Sequence, residues 1–259
     1  MKDVKVSIIT PLFNCSPYIE DTVMSVISQG YSDWEMIMVD DCSEDDSLEV
    51  AMRYSLLDSR VKVISLDRNC GAAVARNKAI EAATGRFIAF LDSDDQWLPN
   101  KLEVQLEYMI KNDVAFSFSA YEKVDSHNRG LVGTVEVPSK VDYNDLLKVC
   151  SIGCLTAMYD VDKLGKVYMP IIRKRQDLGL WLKILKKERY AYGIPEVLAR
   201  YRLRSDSISA NKFSAARYTW RLYRDVEQLG FFRAIYYFSF YAVNGVLRSG
   251  FPRFFQARR

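Results

Sequence analysis

One histidine, His127, is all that the 259 residues contain, and it sits in a polar, turn-like segment. That scarcity turns the chain away from chemistry built on a histidine base, and His127 reads as a solvated loop residue. The five cysteines (Cys15, Cys42, Cys70, Cys150 and Cys154) fall in no metal-site spacing, and their odd number points to free thiols in a reducing cytoplasm. No serine or cysteine stands out as a nucleophile. The first apolar run ends in Thr10-Pro11, where a dinucleotide-binding enzyme would carry a glycine-rich turn. That excludes a nicotinamide-dependent oxidoreductase. No apolar run is long enough to span a bilayer; residues 234–247 come nearest, and Asn244 interrupts them. The N-terminus enters a strand with no signal-like segment, so a cytoplasmic protein is expected.

What is present is ordinary in bulk and uneven in distribution. Apolar residues at 49% and charged residues at 27% describe a chain that buries a core rather than a disordered one. Its length suits one large α/β domain or a domain with an appendage. The net charge is +3, but the first half is acid-rich and the chain beyond Arg200 is basic and aromatic. In the first half, strand-like runs at 4–10, 34–39, 61–66 and 86–91 alternate with helical patterns at 17–29, from Ser43 onward, and at 71–83. That alternation predicts βαβ units around a mostly parallel sheet, whose ligands bind beyond the carboxyl ends of the strands.

Polar residues collect at those ends: Thr10 and Asn14, Asp40 and Asp41, Arg68 and Asn69, and finally the tetrad Asp92-Ser93-Asp94-Asp95. Any one of these groups is weak evidence, since Asp and Asn are ordinary turn and cap residues. The tetrad says more. Three carboxylates in four residues repel one another unless a cation or donors share the site. Mg²⁺ or Mn²⁺ takes such oxygen ligands and keeps positions open for phosphate.

Residues 6–14 (VSIITPLFN), Val39-Asp40-Asp41-Cys42-Ser43, Gly71 with Ala75-Arg76-Asn77, and Leu91-Asp92-Ser93-Asp94-Asp95 together resemble the family 2 glycosyltransferases of the GT-A fold. The match holds through the first half and continues more weakly to about Ser209; its relatives include enzymes of bacterial O-antigen and capsule synthesis. The resemblance implies a Rossmann-like nucleotide-sugar domain over 1–210, with a nucleotide-binding half at 1–112 and an acceptor-binding half at 113–210. A C-terminal helical region at 211–259 would follow it. Thr10, Pro11, Asn14 and Asp41 match the pocket for base and ribose. Gly71 opens a helix whose N–H groups can face phosphate, with Arg68 and Arg76 adding positive charge. Asp94 matches the metal ligand; Asp92 either shares the ion or holds the ribose, beside Ser93. Asp95 orients its neighbours or the acceptor.

Further on, Arg175-Gln176-Asp177 opens an amphipathic helix, and Asp177 on propensity alone reads as its cap. The family usually has Glu-Asp here and uses the Asp as general base; Gln176 replaces the Glu in this chain. Trp181, one turn on, packs either a sugar face of the acceptor or the core. Arg204 stands where the family often carries histidine and is a candidate clamp for the departing diphosphate, against the alternative of a surface arginine. The implied activity is inverting, metal-dependent transfer from a nucleotide sugar, with UDP the expected nucleotide, to a hydroxyl of a lipid-linked or polysaccharide acceptor. A non-catalytic relative that binds nucleotide sugar or scaffolds partners is the alternative.

From Phe213 onward aromatics and arginines interleave, as in Trp220-Arg221, Tyr223-Arg224 and Phe231-Phe232-Arg233. Such residues suit a lipid–water interface, each basic one adding roughly 1 kcal/mol near an anionic leaflet. Peripheral attachment to the inner face of the cytoplasmic membrane through 213–259 is expected ahead of a helical hairpin packed on the catalytic domain or on a second subunit. No RNA-binding motif accompanies the tail, so no nucleic-acid partner is expected.

Overall fold

A computed structural model describes residues 4–126, 130–203 and 212–250, with the backbone alone at 212–213 and 244–250. The first half is β1 (Val6–Leu12), α1 (Ile19–Ile27), β2 (Trp34–Asp40), α2 (Ser47–Leu57), β3 (Val61–Ser65), α3 (Ala72–Ala82) and β4 (Phe87–Phe90). The expected alternation is therefore present. The helix expected from Ser43 begins at Ser47 instead, because the intervening side chains are engaged in the loop. Ser43 Oγ donates to Asp40 at 2.5 Å, and Asp45 accepts from the backbone N–H groups of Ser16 and Ser47, both at 3.0 Å.

The second half is β5 (Gln96–Trp97), α4 (Lys101–Lys111), β6 (Phe116–Val124), β7 (Leu131–Val135), β8 (Lys140–Val141), α5 (Tyr143–Lys148), β9 (Met158–Asp160), α6 (Val161–Leu164), α7 (Gln176–Leu185) and β10 (Ala191–Arg202). A helix α8 (Lys212–Arg221), a π-helical turn (Leu222–Val226) and α9 (Phe231–Gly250) close the chain as described. All ten strands join one sheet, ordered β3-β2-β1-β4-β9-β6-β10-β5, with β7 beside β6 and β8 beside β10. The pairs β3/β2, β2/β1 and β1/β4 are parallel, as is β6/β10; β9 runs antiparallel to both β4 and β6. The sheet is thus parallel from β3 to β4 and mixed beyond β4. Chain order reverses between β1 and β4, which is where a crevice opens in sheets of this kind.

Both faces of the sheet are covered, so its central strands read as continuous apolar runs that the period of two divides between faces. Ile8, Met36, Met38, Phe87 and Ala89 pack under α1, α2 and α4. Ile9, Ile37, Val39, Ile88 and Phe90 pack under α3 and α7. One glycine is required by this layering. A Cβ at Gly85, where the chain enters β4, would stand 2.6 Å from the Lys5 carbonyl oxygen and 2.7 Å from the Ser7 nitrogen.

The C-terminal helices join the second core. Leu222, Tyr223, Leu229, Ala234 and Tyr237 pack with the α7 residues Leu178, Trp181 and Leu182. The Tyr223 hydroxyl donates to the Leu147 carbonyl at 2.5 Å and that of Tyr237 to Asn144 Oδ1 at 2.6 Å, both partners lying on α5. The aromatic pattern that reads as a membrane surface is therefore divided: one face of α9 is core. The other leaves Phe231, Phe232, Ile235, Tyr236, Phe240 and Val243 exposed.

Candidate active site

A cleft of about 780 Å³ opens at the carboxyl ends of β1 and β4 and runs across to the N-terminus of α7. That volume lies within the range of small-molecule sites. Of the residues singled out by sequence, Pro11, Asn14, Asp41, Gly71, Arg76, Asp92, Ser93, Asp94 and Asp177 line it. The fold brings Asp177 to the tetrad although it lies 82 positions beyond Asp95.

The wall beyond β1 and β2 is built by local necessity. Asp41 follows β2, and its Oδ1 and Oδ2 accept the backbone N–H groups of Cys70 and Gly71 at 2.6 and 2.7 Å. These bonds hold the loop that leads into α3. The Gly71 N–H itself is thereby engaged by Asp41. Gly71 is required by its φ of +92°, since a Cβ there would meet nothing within 4 Å. Asn14 (φ +46°) accepts the Glu44 N–H on Oδ1 at 2.9 Å, fixing the wall beyond β1.

Arg76, on α3, is buried and ion-paired with Asp92. Burial alone would lower its pKa, but the charge and hydrogen bond of Asp92, with the charge of Asp177, outweigh that and raise it, so the guanidinium stays charged. Its charge is therefore balanced by carboxylates rather than reserved for phosphate. Asp92 accordingly gives Oδ1 to Arg76. Cys154 lies on the same wall, and burial followed by the nearby carboxylates pushes its thiol pKa up.

Two expectations are corrected, for Thr10 and Arg68, and two open alternatives are decided, for Asp95 and Trp181. Thr10 is fully buried and off the cleft wall; its hydroxyl has no hydrogen-bond partner among the described residues. Arg68 is exposed and does not line the cleft, because the loop after β3 turns it outward. Asp95 is buried behind the tetrad rather than facing an acceptor, and its Oδ1 accepts the Arg202 N–H at 3.0 Å. Burial, and then the charges of Asp94 and Asp92, raise its pKa well above the usual carboxylate range. Trp181 is fully buried, its ring 5.3 Å from those of Phe90 and Phe116, so it is core and cannot meet a sugar. Arg204 lies outside the described residues.

Two groups escaped sequence reasoning. Arg202, at the end of β10, clamps the tetrad turn: Nε donates to the Asp94 carbonyl at 2.9 Å, Nη2 to Asp21 at 2.9 Å and Nη1 to the Ser126 carbonyl at 3.1 Å. Its guanidinium also lies over the Tyr18 ring, 4.9 Å from the centroid. The signal available was an arginine within the apolar alternation of a strand. The second group is the run Arg173-Lys174-Arg175, which lines the cleft immediately before Asp177. Three consecutive cations ahead of an acidic helix start were visible in the sequence.

Among the described residues no three potential ligands are gathered into a metal cage. Asp92 and Asp94 nevertheless share the wall, and one or two carboxylates completed by substrate phosphates are the usual donor set for Mg²⁺. The residues fit an ion that binds together with a diphosphate.

The sequence model for "Glycosyl transferase family 2" matches residues 7–153, more than half of the chain. The chain belongs to family 2 of the glycosyltransferases. Relatives agree with that placement. The putative teichuronic acid biosynthesis glycosyltransferase TuaG of Bacillus subtilis is 50% identical over 93% of this chain and 96% of its own. The Escherichia coli UDP-Glc:alpha-D-GlcNAc-diphosphoundecaprenol beta-1,3-glucosyltransferase WfgD is 40% identical over 97% of each chain. Among solved structures, S. aureus TarS 1-349 in complex with UDP-GlcNAc superposes with a TM-score of 0.68 at 22% identity, over 83% of this chain and 65% of that one. The mannosyltransferase PcManGT from Pyrobaculum calidifontis, in complex with GDP-Man and Mn²⁺, gives 0.67 at 19% identity, over 87% of this chain and 64% of that one. At these identities the structural likeness establishes a shared fold, the GT-A fold.

Proposed function

We propose that this family 2 glycosyltransferase moves a sugar, with inversion, from a UDP-sugar to a hydroxyl of a lipid-diphosphate-linked acceptor in bacterial surface-glycan synthesis. The carrying observation is that Asp94 and Asp177, from distant segments, face one cleft. The relatives' names support the donor, the acceptor class and the pathway type.

The donor's nucleoside lies along Pro11, Asn14 and Asp41. Each Asp41 oxygen, already accepting one backbone N–H, retains a second lone pair for a base N–H or ribose hydroxyl. Asp94 with Asp92 would hold a divalent ion, which supplies neutralisation of the charge growing on the departing diphosphate. The acceptor hydroxyl lies against Asp177 and attacks the anomeric carbon from the face opposite the leaving group. As the new C–O bond forms, Asp177 takes the hydroxyl proton, and the old bond's electron pair leaves on the β-phosphate oxygen. A positioned base of this kind contributes roughly 10²–10⁴-fold, and holding two substrates in line contributes further.

The exposed face of α9 gives the enzyme a second surface. Phe232 is 85% exposed and Phe231 54% exposed, on the side away from the core. Aromatics of this kind beside Arg224 and Arg233 suit an anionic lipid surface, where the acceptor's lipid resides. Among the described residues no helix is long and apolar enough to cross a membrane, so attachment is peripheral in this reading. Calorimetry with UDP and Mn²⁺ tests the donor site: binding that needs the metal and is lost in Asp94→Ala supports it, and unchanged binding in that variant removes it. Asp177→Asn should keep donor binding and lose transfer.

A further inference from the structure

Arg175, the residue that introduces the candidate base, is held by the C-terminal helices. It caps α7 with φ +66°, in the left-handed region, while its carbonyl accepts the Gly179 N–H at 3.0 Å as the helix begins. A residue other than glycine is strained there, and such strain persists only where the surroundings over-determine it. The surroundings here are α8 and α9. Arg175 Nε donates to Thr219 Oγ1 at 3.1 Å, and Nη2 donates to the Tyr241 hydroxyl at 3.1 Å. The guanidinium also lies over the Tyr241 ring, 5.2 Å from its centroid.

Thr219 is itself buried, and its hydroxyl donates to the Ala215 carbonyl at 2.9 Å. Ala215 and Arg175 both line the cleft. The two helices are locked to each other through Trp220, whose ring meets Phe231 at 6.2 Å and Phe238 at 5.5 Å, both edge-on. The αL turn two residues before Asp177 is therefore tied to a packed helical pair, not to the sheet that carries the rest of the site.

We propose that Arg175 is a positioning residue through which α8 and α9 hold the turn that aims Asp177 into the cleft. The C-terminal helices are then part of the transfer machinery rather than an appendage. The inference rests on the reading of Asp177 as the base.

Arg175→Gly separates backbone from tether, because glycine adopts φ +66° without strain while losing both side-chain bonds. The expected result is a kcat for transfer lower by about 10- to 100-fold, the scale of an ångström's misplacement of a reacting group. The KM for nucleotide sugar and its calorimetric affinity should stay within about twofold, since the donor wall is untouched. Tyr241→Phe keeps the ring and loses one hydrogen bond, so kcat should fall roughly 3- to 10-fold. In an Asp177→Asn background, Arg175→Gly should cost nothing further, because no base remains to be aimed. Unchanged kcat in both Arg175→Gly and Tyr241→Phe, or a full additional loss in the Asp177→Asn background, overturns the proposal. Wild-type transfer by Asp177→Asn alone is a different result: it removes the base assignment, and the proposal with it.

Discussion

Replacing Glu35 with Gln should remove a pH-dependent share of the stability that keeps the tetrad-bearing strand in register. Glu35 is buried on β2, away from the cleft. Its Oε1 accepts from Ser7 Oγ at 2.6 Å, and from the Thr84 N–H and hydroxyl, both at 2.7 Å. Its Oε2 lies 2.6 Å from Lys62 Nζ. Ser7 Oγ in turn accepts the Gly85 N–H at 2.8 Å, so one carboxylate ties β1 and β2 to the turn that enters β4. Burial raises the pKa, but the bonds from Lys62, Ser7 and Thr84 more than offset it and bring the group down to about 2 from 4.5. A depressed carboxylate contributes stability that is fully present above its unfolded pKa and is lost as pH falls through the folded one.

Linkage over that window gives about 3 kcal/mol at pH 6, shrinking to about 1 kcal/mol by pH 2.5. The assay is urea denaturation of wild type and Glu35→Gln between pH 6 and pH 2.5. Taking the difference between the two cancels the other carboxylates, so the gap should narrow as pH falls. Added salt should remove only the part due to Lys62, which is half exposed. A gap that stays constant across this range would refute the reasoning, as would the absence of any gap at pH 6.

Other expectations follow from single contacts. Gly85→Ala must displace β4 from β1, where Lys5 and Ser7 leave no room for a Cβ. It should cost about 1–3 kcal/mol in denaturation and weaken UDP binding with it; wild-type stability would show that the strands yield freely. Lys101 is fully buried, its Nζ unbonded among the described residues and 3.6 Å from the Trp97 ring centroid, and burial pushes its pKa well down. Lys101→Met should therefore stabilise the fold by about 1–3 kcal/mol, read as a raised denaturation midpoint, and a lowered midpoint would contradict this account. Phe232→Glu with Tyr236→Glu should abolish flotation with anionic vesicles while leaving UDP affinity unchanged; equal flotation of both proteins would count against a lipid-facing α9.

Much of the first half was legible because its elements are local. Short apolar runs gave β1, β2 and β4, the last two ending in acid, and a parallel sheet leaves only one rim for Asp41 and the tetrad to share. The division of labour inside the tetrad was not legible, because sequence spacing says nothing about which carboxylate a distant arginine engages. Arg76 takes Asp92, and the Arg202 backbone takes Asp95, across 107 residues. Trp181 was left open for a related reason. Its helical spacing allowed a sugar platform or a core position, and only the packing of Phe90 and Phe116 around it made it core.

The sequence by itself determined the family, the alternating architecture, and the identity of Asp94 and Asp177 as the residues to watch. These depend on local propensity and on motif order along the chain. Tertiary structure decided what the motifs could not: that Thr10, Arg68, Asp95 and Trp181 leave the cleft wall, that Arg173-Lys174-Arg175 joins it, and that α8 and α9 grip the turn before Asp177. Each of these depends on contacts between segments far apart in sequence. Burial there is set by what arrives from elsewhere in the chain, which no local pattern encodes.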